Sequence, residues 1–361
     1  MSEAVFVNLA LTVRVLIVGG FLFFLPRVTR VGLLFGAYVG ESSAEGDAAR
    51  RLLRSWYRGC VILTVLSLMV GYGISLAGRP LAGNYTGTAV LLLGALGLYL
   101  RTYSRARALA PPEAAQQATK AAASLYVGEP RGAGLAKFAL GFSIIAAVAT
   151  FAYATVSYQA MTDRSFVAIM FVPGLNLVLS PTVALLALFT VNAKRSIRAG
   201  SGGGSVEAQD AFRATMVNLM SWTALLFCTF MTVLSVQIVR LGLSENASLG
   251  AWVLWTAALF LLFLIFIVGN MVRILKGYGQ GGARLEQAAA DAALTDGIAD
   301  NTRWVWGLFY VDRDDPSIMV EKRFGFGYTL NYGNRTAVLF VVAFLVLSIS
   351  VAAFVLIGAT R

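Results

Sequence analysis

Eight segments of mostly apolar residues, each long enough to cross a membrane, constrain the fold of this chain more than any other feature. A helix needs about 20 such residues to span the hydrocarbon core of a bilayer. A single apolar segment becomes a helix there because its backbone groups can then bond to one another. The predicted spans are residues 4–26, 58–78, 85–101, 138–160, 166–192, 214–240, 249–275 and 337–359. The sequence therefore predicts an all-α membrane protein with about eight transmembrane helices.

The distribution of charged residues predicts how these spans are oriented. The chain has 29 Lys and Arg residues and a net charge of +11, and 24 of the 29 lie in loops 27–58, 101–137, 193–213 and 273–336. Short loops rich in Lys and Arg stay in the cytoplasm. This places the four basic loops in the cytoplasm and both termini outside it. Since topology explains the positive charge, we expect no nucleic-acid partner.

Two of the predicted cytoplasmic loops have the pattern of amphipathic helices. Residues 41–59 contain Ser42 and Glu45 at the spacing of a capping box and end in arginines. Residues 111–126 place Pro112 in the first turn of an alanine-rich helix. We therefore expect amphipathic helices in the cytoplasm beside the spans.

The last loop differs in composition from the rest of the chain. Its runs 304–311, "WVWGLFYV", and 317–324, "SIMVEKRF", are β-prone and are joined by the turn-like "DRDDP". These two runs predict a short cytoplasmic β-hairpin before the last span. The chain would then consist of a seven-span bundle with its loops at 1–275, a module of Gly-rich turn, helix and hairpin at 276–336, and a last transmembrane helix at 337–361.

Aromatic and basic side chains of this module form a predicted docking site for a partner or for lipid. Aromatic residues are enriched at membrane interfaces, and basic residues near the inner leaflet attract anionic headgroups. Pairing with nearby acidic residues is another role for the basic ones. The candidate residues are Trp304, Trp306, Phe309, Tyr310, Lys322, Arg323, Phe324 and Tyr328.

Several motifs of the last loop resemble a family of bacterial multi-pass membrane proteins of unknown function. They are G-Q-G-G-x-R-L at 279–285, W-x-x-G-x-F-Y at 304–310, D-D-P at 314–316 and K-R-F-G-x-G-x-T-x-N at 322–331. This family is loosely allied to the SdpI-type immunity membrane proteins, which protect a cell from a membrane-active peptide toxin. The resemblance implies binding of a peptide or a partner protein. The outer-loop motif of that alliance, a proline pair before a histidine and a tryptophan, is absent from 155–165.

Polar residues inside the spans form a second candidate site. Arg14 lies near the centre of the first span, where a charge costs at least about 2.5 kcal/mol, and no predicted span contains an acidic residue. Pro173 and Asn176 lie in the fifth span, where the prolines either break the helix or kink it, and Asn270 lies in the seventh. These residues are compatible with a polar pocket or water-filled path. A structural arginine explains Arg14 equally well, and a proline kink held by neighbouring helices is commoner than a broken span.

The composition leaves few enzymatic chemistries open. The chain has no histidine, which excludes Ser-His-Asp catalysis and H-E-x-x-H zinc sites. Its two cysteines are too few for a thiolate metal cage. Asp312, Asp314 and Asp315 either hold a divalent cation or form a solvated turn, and the turn is the commoner role of such a run. We therefore assign no catalytic residue, metal or cofactor.

The sequence favours a non-enzymatic inner-membrane protein that binds a partner protein or peptide, as immunity proteins and accessory subunits do. Lipid is its other expected contact, and a homo-oligomer is compatible with the sequence. One alternative is a transporter of ions or small solutes that works through Arg14 and the broken fifth span. A second is a membrane-embedded, metal-dependent enzyme that uses residues 312–315.

Overall fold

Long apolar helices form most of the chain, as the sequence predicts. The computed structural model describes residues 3–30, 32–110, 132–161, 165–194, 202–243, 249–280 and 301–358. In this part, eight helices are long and apolar enough to cross a membrane, which gives a multi-pass all-α fold. They are α1 (Glu3–Phe24), α3 (Asp47–Leu76), α4 (Pro80–Arg107), α5 (Ala133–Gln159), α6 (Phe166–Val191), α7 (Gly202–Leu243), α8 (Leu249–Gly277) and α9 (Arg335–Gly358), while α2 (Glu41–Ala44) is a single turn.

The amphipathic helix predicted within 41–59 is not separate from the membrane span. α2 ends at Ala44, and α3 then runs from Asp47 into the span without a break. No glycine or proline interrupts residues 47–58, and the arginine, leucine and alanine found there favour a helix. The predicted helix is thus the first part of α3. The helix predicted at 111–126 lies outside the described residues.

The fifth span is one continuous helix, which agrees with prolines held inside the helix and not with the broken span of the transporter alternative. α6 contains both Pro173 and Pro181 inside one helix. Neighbouring helices can hold such prolines in place within a membrane. A side chain at Gly174 would meet Val351 of α9 at 2.7 Å, so α9 packs closely against α6 beside Pro173.

α3 and α4 approach each other closely along small residues. A side chain at Gly83 would collide with the backbone oxygen of Gly71, and Ser67 Oγ donates a 2.5 Å hydrogen bond to the backbone oxygen of Gly87. Helices in lipid associate through such close packing rather than through the hydrophobic effect. The glycines therefore fix the distance between these two helices.

The described helices pack as two groups. α1, α3 and α4 contact one another, while α5, α6 and α7 contact one another and are joined by α8 on α7 and by α9 on α6. None of the extensive helix-to-helix contacts in the described part connects the first group with the second. The division of the chain at residues 275 and 336 stays a prediction.

Three short hairpins lie beyond the helix ends and form the cap, which we define as residues 25–46 and 301–334. The strand pairs, all antiparallel, are β1 (Leu33–Leu34) with β2 (Ala37–Tyr38), β3 (Trp304–Val305) with β4 (Phe309–Tyr310), and β5 (Met319–Glu321) with β6 (Tyr328–Leu330). A parallel bridge between Tyr310 and Asn331 connects the last two hairpins.

The hairpin predicted in the last loop has the wrong strand pairing. The sequence predicts that 304–311 pairs with 317–324, but each run instead folds back on the residues next to it. The reason is that glycines with positive φ allow tight reversals within the first run and after the second. Gly307, Gly325 and Gly327 have φ of 69°, 87° and 93°.

We expect the change Gly83→Leu to destabilise the contact between α3 and α4, because the new side chain has no space beside the Gly71 backbone. Overpacking of this kind typically costs about 1–3 kcal/mol. The midpoint of thermal unfolding in detergent should therefore fall. Gly73→Leu is the matched control, since a side chain there meets no atom within 4 Å. Equal midpoints for the two variants would contradict the packing argument.

Candidate docking site on the cap

The first and last loops of the chain contain two turns of the same kind. Phe35 and Gly36 join β1 to β2, and Trp306 and Gly307 begin the turn between β3 and β4. All four residues have positive φ, between 48° and 84°. Positive φ at both central positions is what a type I′ turn requires, and it is uncommon for a bulky side chain. Phe35 and Trp306 are thus held in a conformation that costs energy.

These two turns touch each other backbone to backbone. A Cβ on Gly36 would lie 2.7 Å from the Gly307 oxygen, and a Cβ on Gly307 would lie 2.9 Å from the backbone of Gly36. The Tyr99 hydroxyl of α4 lies 3.1 Å from the Phe35 carbonyl oxygen and 2.8 Å from the Trp306 carbonyl oxygen. One hydroxyl of the first helix group is therefore the donor shared by both turns.

A buried aromatic cluster lies under the turns. Trp56 of α3, Tyr99 of α4, and Phe35 and Phe324 of the cap have ring centroids 5.0–6.5 Å apart. Aromatic side chains bury roughly 150–250 Å² each and gain further from such tilted and edge-to-face contacts. Since Phe324 comes from the last loop, the cluster attaches that loop to the first helix group.

Polar side chains also join the first loop to the last. Arg30 Nη1 lies 3.2 Å from Glu321 Oε2, and both side chains are buried. The Asn301 side chain accepts a hydrogen bond from the Tyr38 backbone, donates one back to it, and accepts a 2.7 Å bond from Arg323 Nη1. Loss of either member of this buried ion pair would leave an uncompensated charge. The ion pair and the hydrogen bonds of Asn301 therefore join the two loops into a single structural unit.

The acidic turn before β5 is neutralised by cations. Asp312 Oδ2 accepts a 2.6 Å hydrogen bond from Arg303 Nη1, and Asp315 Oδ2 accepts a 2.7 Å bond from Lys194 Nζ. The Tyr310 hydroxyl lies 3.1 Å from the first carboxylate and 2.9 Å from the second. Burial raises the pKa of Tyr310, and the charges of these carboxylates add to the rise, so its hydroxyl stays protonated and can donate.

This arrangement does not favour a metal ion at the aspartates. In the part of the chain that the structure describes, no three Asp, Glu, Cys or His side chains are grouped as metal ligands would be. Asp312 and Asp315 already have cationic partners, and Asp314 is exposed. The described residues therefore offer no geometric support for the metal-dependent enzyme.

Asn331 connects the acidic turn to the last span. Its fully buried side chain donates to the backbone oxygens of Asp312, Asp315 and Ser317 and accepts from the backbone N–H groups of Asp312 and Gly333. A side chain that satisfies so many buried backbone groups has no equivalent substitute, because each group left unpaired costs about 1–3 kcal/mol.

Most of the predicted docking residues are buried rather than exposed, which corrects their role. Five have buried side chains within the cap and are not available to a partner in this conformation: Trp304, Tyr310, Arg323, Phe324 and Tyr328. Trp306 is 52% exposed and Phe309 is 38% exposed, and Lys322 is also exposed. Residue type alone does not reveal which aromatic and charged side chains point inward, so the sequence could not separate the buried residues from the exposed ones.

Trp306 lies at the edge of an apolar groove beside α4. The groove has a volume of about 500 Å³ and is lined by Leu100, Tyr103, Ser104, Arg107, Ala108 and Trp306. The Trp306 and Phe309 rings meet edge to face with centroids 6.2 Å apart, and the neighbouring Val305 is exposed as well. The surface of this hairpin and the groove together form the candidate docking site.

Arg14 has its polar partner within the first helix group. Its guanidinium donates to Asn84 Oδ1 of α4, and Asn84 Nδ2 donates a 3.1 Å bond to the Val7 carbonyl oxygen of α1. Asn84 lies inside α4 because that helix begins at Pro80, earlier than the predicted span at 85–101. This contact is compatible with a structural arginine, which is one of the two roles that the sequence leaves open.

The other predicted intramembrane residues do not lie with Arg14. Pro173 and Asn176 belong to α6 of the second group, where Asn176 Nδ2 lies 3.3 Å from Thr232 Oγ1. Asn270 of α8 donates a 2.9 Å bond to the Phe266 carbonyl oxygen of its own helix. The predicted polar pocket is therefore not formed as one site, and a transport path through these residues together has no support in the described part of the chain.

Two features of the cap are not predicted from the sequence. One is the first hairpin, although "LLFGAY" repeats the aromatic-glycine pair and the following tyrosine of "WVWGLFY". The other is the bridging role of Tyr99, which looks like one more residue of an apolar span. The pattern shared by "LLFGAY" and "WVWGLFY" is the sequence signal from which the first hairpin could have been predicted.

Acidification should destabilise the cap through Asp315. Burial alone would raise the pKa of this carboxyl, but the hydrogen bond and charge of Lys194 and the Ser317 N–H outweigh it and hold the pKa below its ordinary value. The resulting stabilisation is present above the ordinary pKa of about 3.9 and is lost as the pH falls through the lower folded-state value.

We therefore expect the unfolding midpoint of the wild type in detergent to fall more steeply between about pH 5 and about pH 2 than that of Asp315→Asn, which has no carboxyl to protonate. Asp314→Asn is the control, since that side chain is exposed. If the unfolding midpoints of the wild type and of Asp315→Asn change equally with pH, the ion pair of Asp315 with Lys194 does not contribute pH-dependent stability.

Comparison with known proteins gives a family match in the part of the cap that follows the β3–β4 hairpin. Residues 313–338 match the model of a family of unknown function (DUF5808). They contain the acidic turn, the β5–β6 hairpin, Asn331 and the start of α9. No curated protein and no solved structure shows significant similarity to the chain.

Proposed function

We propose that this protein is non-enzymatic and docks a second membrane protein on its cap. The observation that carries the proposal is Trp306, which is half-exposed at the edge of a groove while Trp304 and Tyr310 beside it are buried. Its positive φ of 54° costs energy that burial of the side chain does not offset. Tryptophan is among the residues that contribute most to binding at protein interfaces.

The chemistry of the groove favours a partner that presents an apolar side chain with a carboxylate next to it. Leu100, Tyr103 and Ala108 give it apolar walls, and Arg107 is exposed at its edge. Within the described residues, the Arg107 guanidinium forms neither an ion pair nor a hydrogen bond. A carboxylate from a partner would supply one, and such a charge pair gives specificity at an interface.

The position of the groove favours a partner in the same membrane. Leu100 to Arg107 are the last two turns of α4, and the turns before them expose Leu93 and Leu96 as a lipid-facing helix does. In this proposal, lipid surrounds the eight spans, the cap faces the cytoplasm of a bacterium and both termini lie outside. The concentration of Lys and Arg in the cap-side loops supports that orientation.

The resemblance to immunity-type membrane proteins supports a role as an immunity protein or as an accessory subunit of a membrane complex. Both roles need a specific contact surface and no catalytic residues. The docking site does not involve Arg14, so the proposal does not depend on any function of the intramembrane polar residues.

Site-specific photo-crosslinking in native membranes tests this proposal. A photoreactive phenylalanine analogue at position 306 or 309 should give one discrete cross-linked species with a second protein. The same analogue at exposed position 314 on the acidic turn is the control and should give none. Because Arg107 recognises a carboxylate in this proposal, Arg107→Glu should lower the cross-linking yield at position 306 at least about fivefold.

Two other outcomes would overturn it. Cross-links to lipid alone would make Trp306 an interfacial anchor. A cross-link that joins two differently tagged copies of this chain would make the surface a homo-oligomer contact. Yields at position 306 that do not respond to Arg107→Glu would exclude the recognition of a carboxylate.

A further inference from the structure

A second groove lies where the cap-side ends of α3 and α4 meet, separate from the groove beside Trp306. Its volume is about 260 Å³. Its lining residues are Ala48, Arg51, Leu52 and Ser55 of α3, Arg105 of α4, and Leu109 just beyond the end of α4. Each helix therefore contributes one guanidinium to the same concave surface, and apolar side chains of α3 and Leu109 lie beside them.

The arginines around this groove have no partners in the described chain. Arg51 and Arg58 of α3 and Arg101 and Arg105 of α4 are all exposed. None of their guanidiniums forms an ion pair or a hydrogen bond with a described residue. The groove is thus a concentrated positive surface whose charge is not paired by the described residues.

An apolar surface continues from the groove along the membrane-spanning part of α3. Ile62 and Leu66 follow Ser55 by about two and three turns, which places them on the same face of the helix. They are 63% and 44% exposed. Hydrocarbon can therefore lie directly next to the position that an anion would take in the groove.

We propose that this groove binds the headgroup of an anionic phospholipid, with a phosphate between the guanidiniums of Arg51 and Arg105. Arginine binds phosphate through paired N–H donors, and Ser55 offers a hydroxyl at the same place. One acyl chain then follows Ile62 and Leu66 into the bilayer. Basic pockets of this kind at the ends of transmembrane helices recognise anionic headgroups.

The test uses the full-length protein, freed of lipid in detergent and titrated with phosphatidylglycerol, with binding read by native mass spectrometry. An arginine near an anionic leaflet contributes about fivefold in affinity. The double change R51Q and R105Q should therefore weaken binding by about thirtyfold. The control R50Q and R54Q removes the same charge from two exposed α3 positions that do not line the groove, and it should weaken binding by less than about threefold. The conservative change R51K and R105K should keep most of the affinity.

Phosphatidylcholine and inorganic phosphate test whether the groove binds an anionic phospholipid, any phospholipid or free phosphate. Phosphatidylcholine should bind at least about tenfold more weakly, because its headgroup has no net charge. Inorganic phosphate should not displace phosphatidylglycerol at equal concentration, because it lacks the acyl contacts. Equal losses in the two glutamine variants, equal affinity for the two lipids, or displacement by phosphate alone would each overturn the proposal.

Discussion

Where Gly36 meets Gly307, two turns approach so closely that only backbone atoms fit between them. The turns come from the first and the last loop, and each loop leads into a different group of helices. The Tyr99 hydroxyl of α4 donates hydrogen bonds to a carbonyl oxygen of each turn. No extensive contact joins the helices of the two groups in the described chain, and the cap contacts both of them.

Polar groups give this contact its specificity. Apolar rings alone would allow the two loops to slide over one another, but the buried pair of Arg30 and Glu321 is satisfied in one register only. Asn301 adds a second such restraint, since it bonds to the Tyr38 backbone and to Arg323. Buried polar contacts contribute little net stability and are better understood as selecting one arrangement over its alternatives.

The sequence predicts the membrane part of this protein well and the cap poorly, for a physical reason. Long apolar segments become helices in a bilayer whatever their partners are, so length and hydropathy predict them. The strands of the cap have only two or three residues each, too few for alternation of side chains to indicate a face. Their pairing depends on glycine turns such as Gly307 and on contacts between distant loops, and neither is visible in one local window. The same limit explains why Phe324 and Arg323, which look like surface residues, are buried.

The contact between the first loop and the last also has a consequence while the chain is being translated. Arg30 and Glu321 are 291 residues apart, and a ribosome adds about 5–20 residues per second. Arg30 is therefore without its carboxylate for roughly 15 to 60 seconds after it is made. During that time Trp56 and Tyr99 lack the ring of Phe324. A chain that ended before Phe324 would contain seven of its eight spans and still present an open aromatic surface, which is the kind of surface that chaperones and proteases recognise.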